Sequence, residues 1–299
     1  MPRRVRYDHL PTERLNPRSR HLDQLPLPRL LRLMHEEDLA AVRAMRPALP
    51  HIARAIQAIT HSLRGGGRLF FVGAGTSGRL GVIEAAECPP TFHTPPSLVQ
   101  ALMAGGRPAV FRSREGAEDR AVEVRRLIRR RVRRGDAVVG IAASGVTPFV
   151  DAALRAAAHH GARTILLTCN PKTSIPAQVR IAVAVGPEVL SGSTRLKAGT
   201  ATKLALNMLT LGAMVALGKT YGHLMVDVRP TSRKLRARAV TMLRLLTRCS
   251  GATATTTLRA SGGQVKVAAL MIQQRLSAAH ARRRLSLAGG SLRRALHAA

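Results

Sequence analysis

Five short runs of apolar residues lie between residues 68 and 186, and several of the longer segments between them have a helical pattern. A strand that is apolar at nearly every position is buried on both faces, as happens when helices connect parallel strands and cover the sheet. We therefore expect an α/β protein whose mostly parallel sheet is sandwiched by helices in a Rossmann-like three-layer arrangement. The candidate strands are RLFFVGAG (68–75), SLVQALMAG (97–105), AVVGIAAS (137–144), RTILLTC (163–169) and RIAVAVG (180–186).

An N-terminal helical arm is expected before the sheet. Residues 1–30 are rich in Pro and Arg and are interpreted as an arm or a swapped segment. Apolar residues then recur at helical spacing from Leu30 to Leu63, with a break around Pro47–Pro50. Three consecutive glycines from Gly65 stop this helical pair.

After the sheet, the pattern becomes helical throughout. A long buried helix is expected over 193–221, and an amphipathic helix follows from 231. Paired glycines at Gly262–Gly263 and Gly289–Gly290 divide the remainder into short helices. The predicted domains are an N-terminal arm with helices (1–55), the sheet domain (56–230) and a small helical domain (231–299).

The chain is strongly basic: 48 Lys and Arg stand against 16 Asp and Glu, a net charge of +32. Such a field attracts nucleic acids, anionic membranes and phosphorylated metabolites alike. Arginines peak in RRLIRRRVRR (125–134), but no aromatic residues are interleaved there for base stacking. A solvated helix face is therefore favoured over a nucleic-acid or polyanion site, which remains an alternative.

Cysteine use and hydropathy indicate a cytoplasmic protein. The three cysteines have no short paired spacing of the kind that marks zinc sites, and they suggest a reducing compartment. No apolar segment follows the N-terminus, and the longest apolar run (204–218) is too short and too polar to span a bilayer. Neither a membrane nor a metal is expected as a partner.

Two loops with the same chemistry follow two of the candidate strands. GAGTSGR (73–79) and AASGVTP (142–148) each offer Gly, Ser and Thr just before a helix. Main-chain N–H groups at a helix N-terminus, together with hydroxyl donors, bind anions such as phosphate. One such turn alone would more often be structural, but two at equivalent strand ends of one sheet favour phosphate binding.

Carboxylates are informative because they are rare in this chain. Glu84 and Glu87 lie three residues apart on the helix after the first loop, and Glu118 lies in REGAED (114–119). A surface ion pair explains Glu84 and Asp119 equally well. Glu87 is followed at once by CPP, which is expected to end the helix, and it is the stronger functional candidate.

A third polar stretch, GPEVLSGSTRLKAGTATK, spans 186–203. Ser193, Arg195 and Lys197 are candidate substrate-binding residues on the loop that enters the long helix. Ser193 could instead cap that helix, but capping does not explain the charged residues around it.

Together these stretches resemble the bacterial N-acetylmuramic acid 6-phosphate etherases, SIS-domain proteins related to the glucokinase regulatory protein. The resemblance runs from TERLN at Thr12 to GGSLRRAL near the C-terminus. It implies that residues 56–230 form the SIS sugar-phosphate-binding domain. It also implies a homodimer that uses no cofactor or metal and cleaves the D-lactyl ether of N-acetylmuramate 6-phosphate with water. A non-catalytic sugar-phosphate regulator of the same fold is the alternative.

The resemblance also assigns roles to individual residues. It implies catalytic roles for Glu87 and Glu118, and it places Val146 where such etherases often carry Arg. Because positive charge favours ionised carboxylates, Glu87 can act as a general acid only if it is desolvated and shielded from Arg79. The phosphate-binding residues that it implies are Thr76, Ser77, Gly78, Ser144, Gly145 and Thr147.

Overall fold

The computed structural model describes residues 10–228, 230 and 232–297, so most of the residues ahead of Thr12 lie outside it. All five predicted strands are present, and they form one fully parallel sheet in the order β2-β1-β3-β4-β5. The strands are β1 (Leu69–Gly73), β2 (Val99–Met103), β3 (Ala137–Ile141), β4 (Arg163–Thr168) and β5 (Val179–Ala182).

The central strands are buried on both sides, as their apolar sequences predict. Every residue of β1 and β3 is buried, whereas the edge strands β2 and β5 have partly exposed positions. The helices around them are α1 (Leu27–Ala44), α2 (Leu49–Arg64), α3 (Gly75–Phe92), α4 (Pro108–Phe111), α5 (Ala121–Arg131), α6 (Pro148–His159) and α7 (Lys197–Ala216).

Alternate residues of β1 face opposite layers of helices. Phe70 packs in one core cluster with Phe149 of α6 and Ile128 of α5. On the opposite face α3 lies so close that a Cβ added to Gly81 would stand 2.8 Å from Cβ of Phe71. The expected three-layer sandwich is therefore confirmed.

Helix α3 does not end at CPP. It continues through Pro89 and Pro90 to Phe92, and the main-chain N–H of His93 donates to the Pro89 carbonyl at 3.0 Å. Proline has no N–H to donate to the carbonyl four residues earlier, but its fixed φ is close to the helical value, so the backbone continues as a helix through this last turn with fewer hydrogen bonds. The helix ends instead at His93, whose φ of 52° is left-handed.

Contacts divide the chain into two compact units. The first contains residues up to 86 together with 96–210, and the second contains 87–95 and 211 onward. The predicted domain boundaries after residues 55 and 230 stay predictions.

The second unit contains a group of short helices with its own apolar core. As predicted, Gly262–Gly263 separate two of these helices and Gly289–Gly290 separate two others. None of the helices within the described ranges has the length and apolar character needed to cross a membrane. The helices of this region are α8 (Arg233–Thr247), α9 (Gly251–Ala260), α10 (Val265–Gln274), α11 (Ala278–Leu287) and α12 (Leu292–His297).

A buried lysine links the loops of the second unit. Nζ of Lys266 donates to Oδ2 of Asp227 at 2.8 Å and to the carbonyl oxygens of Gly218 and Gly290 at 2.8 and 2.7 Å. Burial lowers the pKa of Lys266, although Asp227 opposes that shift. With its three donors satisfied, this ammonium is a structural link between loops.

Candidate functional site

A cleft of about 270 Å³ in the first unit adjoins the carboxyl ends of β1, β2 and β3. The chain passes from β1 to β2 on one side and reaches β3 on the other, so the strand order reverses here. Ligands of open parallel sheets bind at such a switch point. Five residues predicted from the sequence line this cleft: Thr76, Ser77, Glu118, Ser144 and Thr147.

The first hydroxyl loop is held by a close approach between β1 and α3. A Cβ added to Gly73 would lie 2.8 Å from the main-chain nitrogen of Gly78, so neither position has room for a larger residue. Thr76 and Ser77 occupy the first turn of α3, where unpaired N–H groups and the helix dipole favour an anion. Gly78 thus serves packing, and it is not among the residues that line the cleft.

The second hydroxyl loop is braced from the end of β4. Gly145 has a φ of 71°, and its carbonyl accepts a hydrogen bond from Oγ1 of Thr173 at 2.5 Å. Nδ2 of Asn170 donates to the Ser144 carbonyl at 2.9 Å. Thr147 precedes α6 without making a side-chain capping bond, which leaves its hydroxyl available to a ligand. Val146 does not line the cleft.

Acidic and basic side chains meet across the cleft. Glu118 lies half-buried in a 3-10 turn (Ala117–Asp119), and Glu13 reaches the cleft from the N-terminal segment. The cationic residues in the lining are Arg79 and Arg114. The lining also contains four residues that were not predicted to bind a ligand, although they lie in the quoted stretches TERLN, GAGTSGR, REGAED and 186–203: Glu13, Arg79, Arg114 and Thr194.

The third polar stretch contributes differently from the prediction. Lys197 is buried, and its ammonium donates to Oε2 of Glu37 in an ion pair. Ser193 and Arg195 are not among the residues that line the cleft, and α7 begins only at Lys197.

Ser193 does not cap α7. Glu188 does so instead, because its carboxylate accepts the main-chain N–H groups of Lys197 and Ala198 at 3.1 and 3.0 Å. Burial raises the pKa of Glu188 and outweighs these two hydrogen bonds, which act in the opposite direction.

The two carboxylates of α3 have different environments. Glu84 is buried, and its Oε1 and Oε2 each lie 3.2 Å from Nζ of Lys203, whose side chain is 35% exposed, so the expected surface ion pair is a partly buried one. Glu87 belongs to the second unit, and its side chain is exposed in the single chain. The desolvation that a general acid requires is therefore absent from the isolated chain.

No group of three His, Cys, Asp or Glu side chains within the described ranges is arranged to hold a metal ion. The cleft instead combines neutral hydroxyls, helix N-termini, carboxylates and guanidinium groups. These groups suit an anionic, polyhydroxylated ligand and proton transfer to or from it.

Comparison with known proteins agrees with this geometry. The pattern that defines the glucokinase regulatory protein N-terminal SIS domain matches residues 51–158, and the SIS domain pattern matches 119–212. A phosphoheptose isomerase from Francisella tularensis has the same fold, with a TM-score of 0.50, 17% identity and coverage of 63% of this chain and 98% of its own. The chain is a SIS-domain protein.

Two relatives define the family within that class. A protein of Synechocystis named N-acetylmuramic acid 6-phosphate etherase is 51% identical over 97% of this chain and 96% of its own length. A protein of the same name from Gloeobacter violaceus is 53% identical over 95% and 94%. This chain belongs to the N-acetylmuramic acid 6-phosphate etherase family.

Proposed function

We propose that this protein is a carbon–oxygen lyase that cleaves the D-lactyl ether of N-acetylmuramate 6-phosphate with water. The products are N-acetylglucosamine 6-phosphate and D-lactate, as in the recycling of cell-wall amino sugars. The observation that carries the proposal is the cleft, in which two hydroxyl loops at the switch point lie with Glu118. Family membership at about 50% identity supports the same activity.

In this proposal the hydroxyl loops hold the phosphate. Thr76 and Ser77 come from the start of α3, and Ser144 and Thr147 come from the loop before α6. Two helix N-termini then face one dianion, and each contributes main-chain N–H donors and a favourable dipole.

The reaction proceeds by elimination followed by hydration. Opening of the sugar ring creates a C1 aldehyde that acidifies the C2 proton, and a base removes this proton. The C3 ether oxygen then leaves as D-lactate, and protonation by a general acid speeds this step by about 10²- to 10⁴-fold. Water adds to the resulting double bond at C3.

We assign general-acid catalysis to Glu87 and proton abstraction or water activation to Glu118. The position of Glu118 in the cleft lining supports its role. Because Glu87 is exposed in the single chain, its role requires a substrate or a second subunit to desolvate it.

The chain is proposed to act as a homodimer in the cytoplasm. Exposed apolar side chains on α1 support a dimer, since Leu27 and Leu31 lie four residues apart on one face and are 65% and 57% exposed. Light scattering coupled to size-exclusion chromatography tests this assembly, and a mass of one chain, 32.1 kDa, would refute it.

The deciding experiment is incubation of the purified protein with N-acetylmuramate 6-phosphate and enzymatic measurement of D-lactate. Release of D-lactate together with N-acetylglucosamine 6-phosphate is expected. Saturable binding without release would favour the non-catalytic regulator.

A further inference from the structure

The two guanidinium groups of the cleft have different local partners. Arg79 is held by α4, the short helix after β2, since Nε donates to the Val110 carbonyl and Nη2 to the Ala109 carbonyl, both at 2.9 Å. Arg79 therefore fixes the wall of the cleft, with two of its five N–H donors committed to main-chain carbonyls.

The aliphatic part of the Arg114 side chain is packed, whereas its guanidinium group is available to a ligand. Its Cδ would lie 3.2 Å from a Cβ added to Gly105, so the stem lies close over the end of β2. Its main-chain carbonyl accepts the N–H of Ala117 at 3.4 Å, which ties it to the turn that carries Glu118. The guanidinium forms no hydrogen bond or ion pair with any residue that the structure describes.

The proposed substrate has two anionic groups, a phosphate at C6 and the carboxylate of the lactyl ether. The hydroxyl loops and helix N-termini can satisfy the phosphate without a full positive charge. The carboxylate then remains, and a planar guanidinium matches it with two parallel hydrogen bonds. It also lies on the fragment that must leave, beside the ether oxygen.

We propose that Arg114 binds the lactyl carboxylate and so selects sugar phosphates that carry this acidic ether. This inference rests on the proposed function. Arg114 shares a short loop with Glu118, so binding of the carboxylate holds the scissile ether on the side of the cleft where Glu118 lies. The hydroxyl and main-chain N–H groups of the two loops recognise the phosphate that substrate and product share.

The test compares the wild type with Arg114→Ala, Arg114→Lys and the control Arg112→Ala, which changes an exposed arginine of the same segment that does not line the cleft. KM is measured by D-lactate release, and N-acetylglucosamine 6-phosphate, which lacks the lactyl group, is used as a competitive inhibitor. Arg114→Ala is expected to raise KM by about 10- to 100-fold, with the inhibition constant changed by less than about twofold. Arg114→Lys should restore part of the loss, and Arg112→Ala should behave as the wild type.

Two results would overturn the inference. An unchanged KM would mean that Arg114 does not contact the substrate, and a parallel rise in KM and in the inhibition constant would assign Arg114 to the phosphate. If the wild type releases no D-lactate, the proposed function fails separately. In that case calorimetry measures the dissociation constants of N-acetylmuramate 6-phosphate and of N-acetylglucosamine 6-phosphate for the same variants. A loss of affinity confined to the first ligand would show that Arg114 binds the lactyl carboxylate.

Discussion

The side-chain amide of Asn170 holds the main-chain carbonyl of Ser144, with Nδ2 and the carbonyl oxygen 2.9 Å apart. Oδ1 of Asn170 in turn accepts the N–H of Lys172 at 2.9 Å, which fixes the orientation of the amide. A residue that does not line the cleft therefore determines where a proposed phosphate-binding hydroxyl lies.

Asn170→Ala is expected to raise KM for N-acetylmuramate 6-phosphate about fivefold, because one hydrogen bond of about 1 kcal/mol no longer orders the loop. Steady-state D-lactate release measures this change. Asn207→Ala, which removes an exposed amide bonded to Lys203, is the control and should leave KM unchanged. Equal KM values for both variants would rule out the positioning role of Asn170.

Gly145→Ala should destabilise the protein more than Gly116→Ala. Both glycines have a φ of 71°, so each alanine adopts a left-handed conformation at a cost of about 1–2 kcal/mol. At Gly145 the new Cβ would also lie 2.8 Å from Cβ of Thr173, whereas at Gly116 nothing lies within 4 Å. Urea unfolding measures the difference, and equal losses for the two variants would contradict the steric argument.

Glu118→Gln should lower kcat by about 10²- to 10⁴-fold, since the amide cannot take up a proton. Asp119→Asn removes the neighbouring exposed carboxylate, which does not line the cleft, and is expected to retain near wild-type kcat. Circular dichroism checks that both variants fold. If the two variants lose kcat equally, general electrostatics rather than proton transfer explains the effect.

Glu87→Gln tests the general-acid assignment. The variant should bind substrate but release D-lactate about 10²- to 10⁴-fold more slowly, because the leaving alkoxide is no longer protonated. Single-turnover measurement of D-lactate checks this expectation. Normal release by this variant would remove Glu87 from the mechanism.

Breaking the buried ion pair of Glu37 and Lys197 should lower the free energy of unfolding by an amount that depends on pH. Burial raises the pKa of Glu37, but the hydrogen bond and charge of Lys197, aided by Asn16 and Arg18, outweigh it and hold the pKa below the ordinary 4.5. The ionised group therefore stabilises the folded state fully above pH 4.5, and this contribution disappears as the pH falls through the folded-state pKa.

Glu37→Gln is accordingly expected to lower the free energy of unfolding at pH 7 by about 3 kcal/mol. The variant should also lose the decrease in stability that protonation of Glu37 causes in the wild type at low pH. Urea unfolding between pH 7 and pH 3 measures both effects. The double variant Glu37→Met, Lys197→Met should recover part of the loss, because no charge then remains buried without a partner. An identical acid dependence in wild type and Glu37→Gln would refute the assignment.

The strands were predictable because burial on both faces leaves a signal in a few consecutive residues. The loops after β1 and β3 were predictable as well, because each lies between a recognisable strand end and a recognisable helix start. The course of α3 through Pro89 was predicted wrongly. Proline lacks the N–H that a helix interior needs, yet its fixed φ is helical, so the backbone keeps a helical course for one last turn.

The rest of the cleft could not be read from the sequence. Glu13 and Thr194 lie about 180 residues apart and come together only through the tertiary fold. Lys197 looked like a ligand-binding residue because its partner, Glu37, lies 160 residues away on another helix. Pairing between distant residues leaves no periodicity or spacing that a single sequence reveals.

The N-terminal segment is more than an arm. Nδ2 of Asn16 donates to Oε2 of Glu37 at 3.0 Å and to the Pro187 carbonyl at 3.3 Å, only three residues after Glu13 enters the cleft lining. A protease that removes the chain through Arg18 would therefore take Glu13 out of the cleft lining and remove two donors to the buried Glu37 carboxylate in a single cut. Activity and thermal tolerance should be lost together, although no residue of the parallel sheet has been touched.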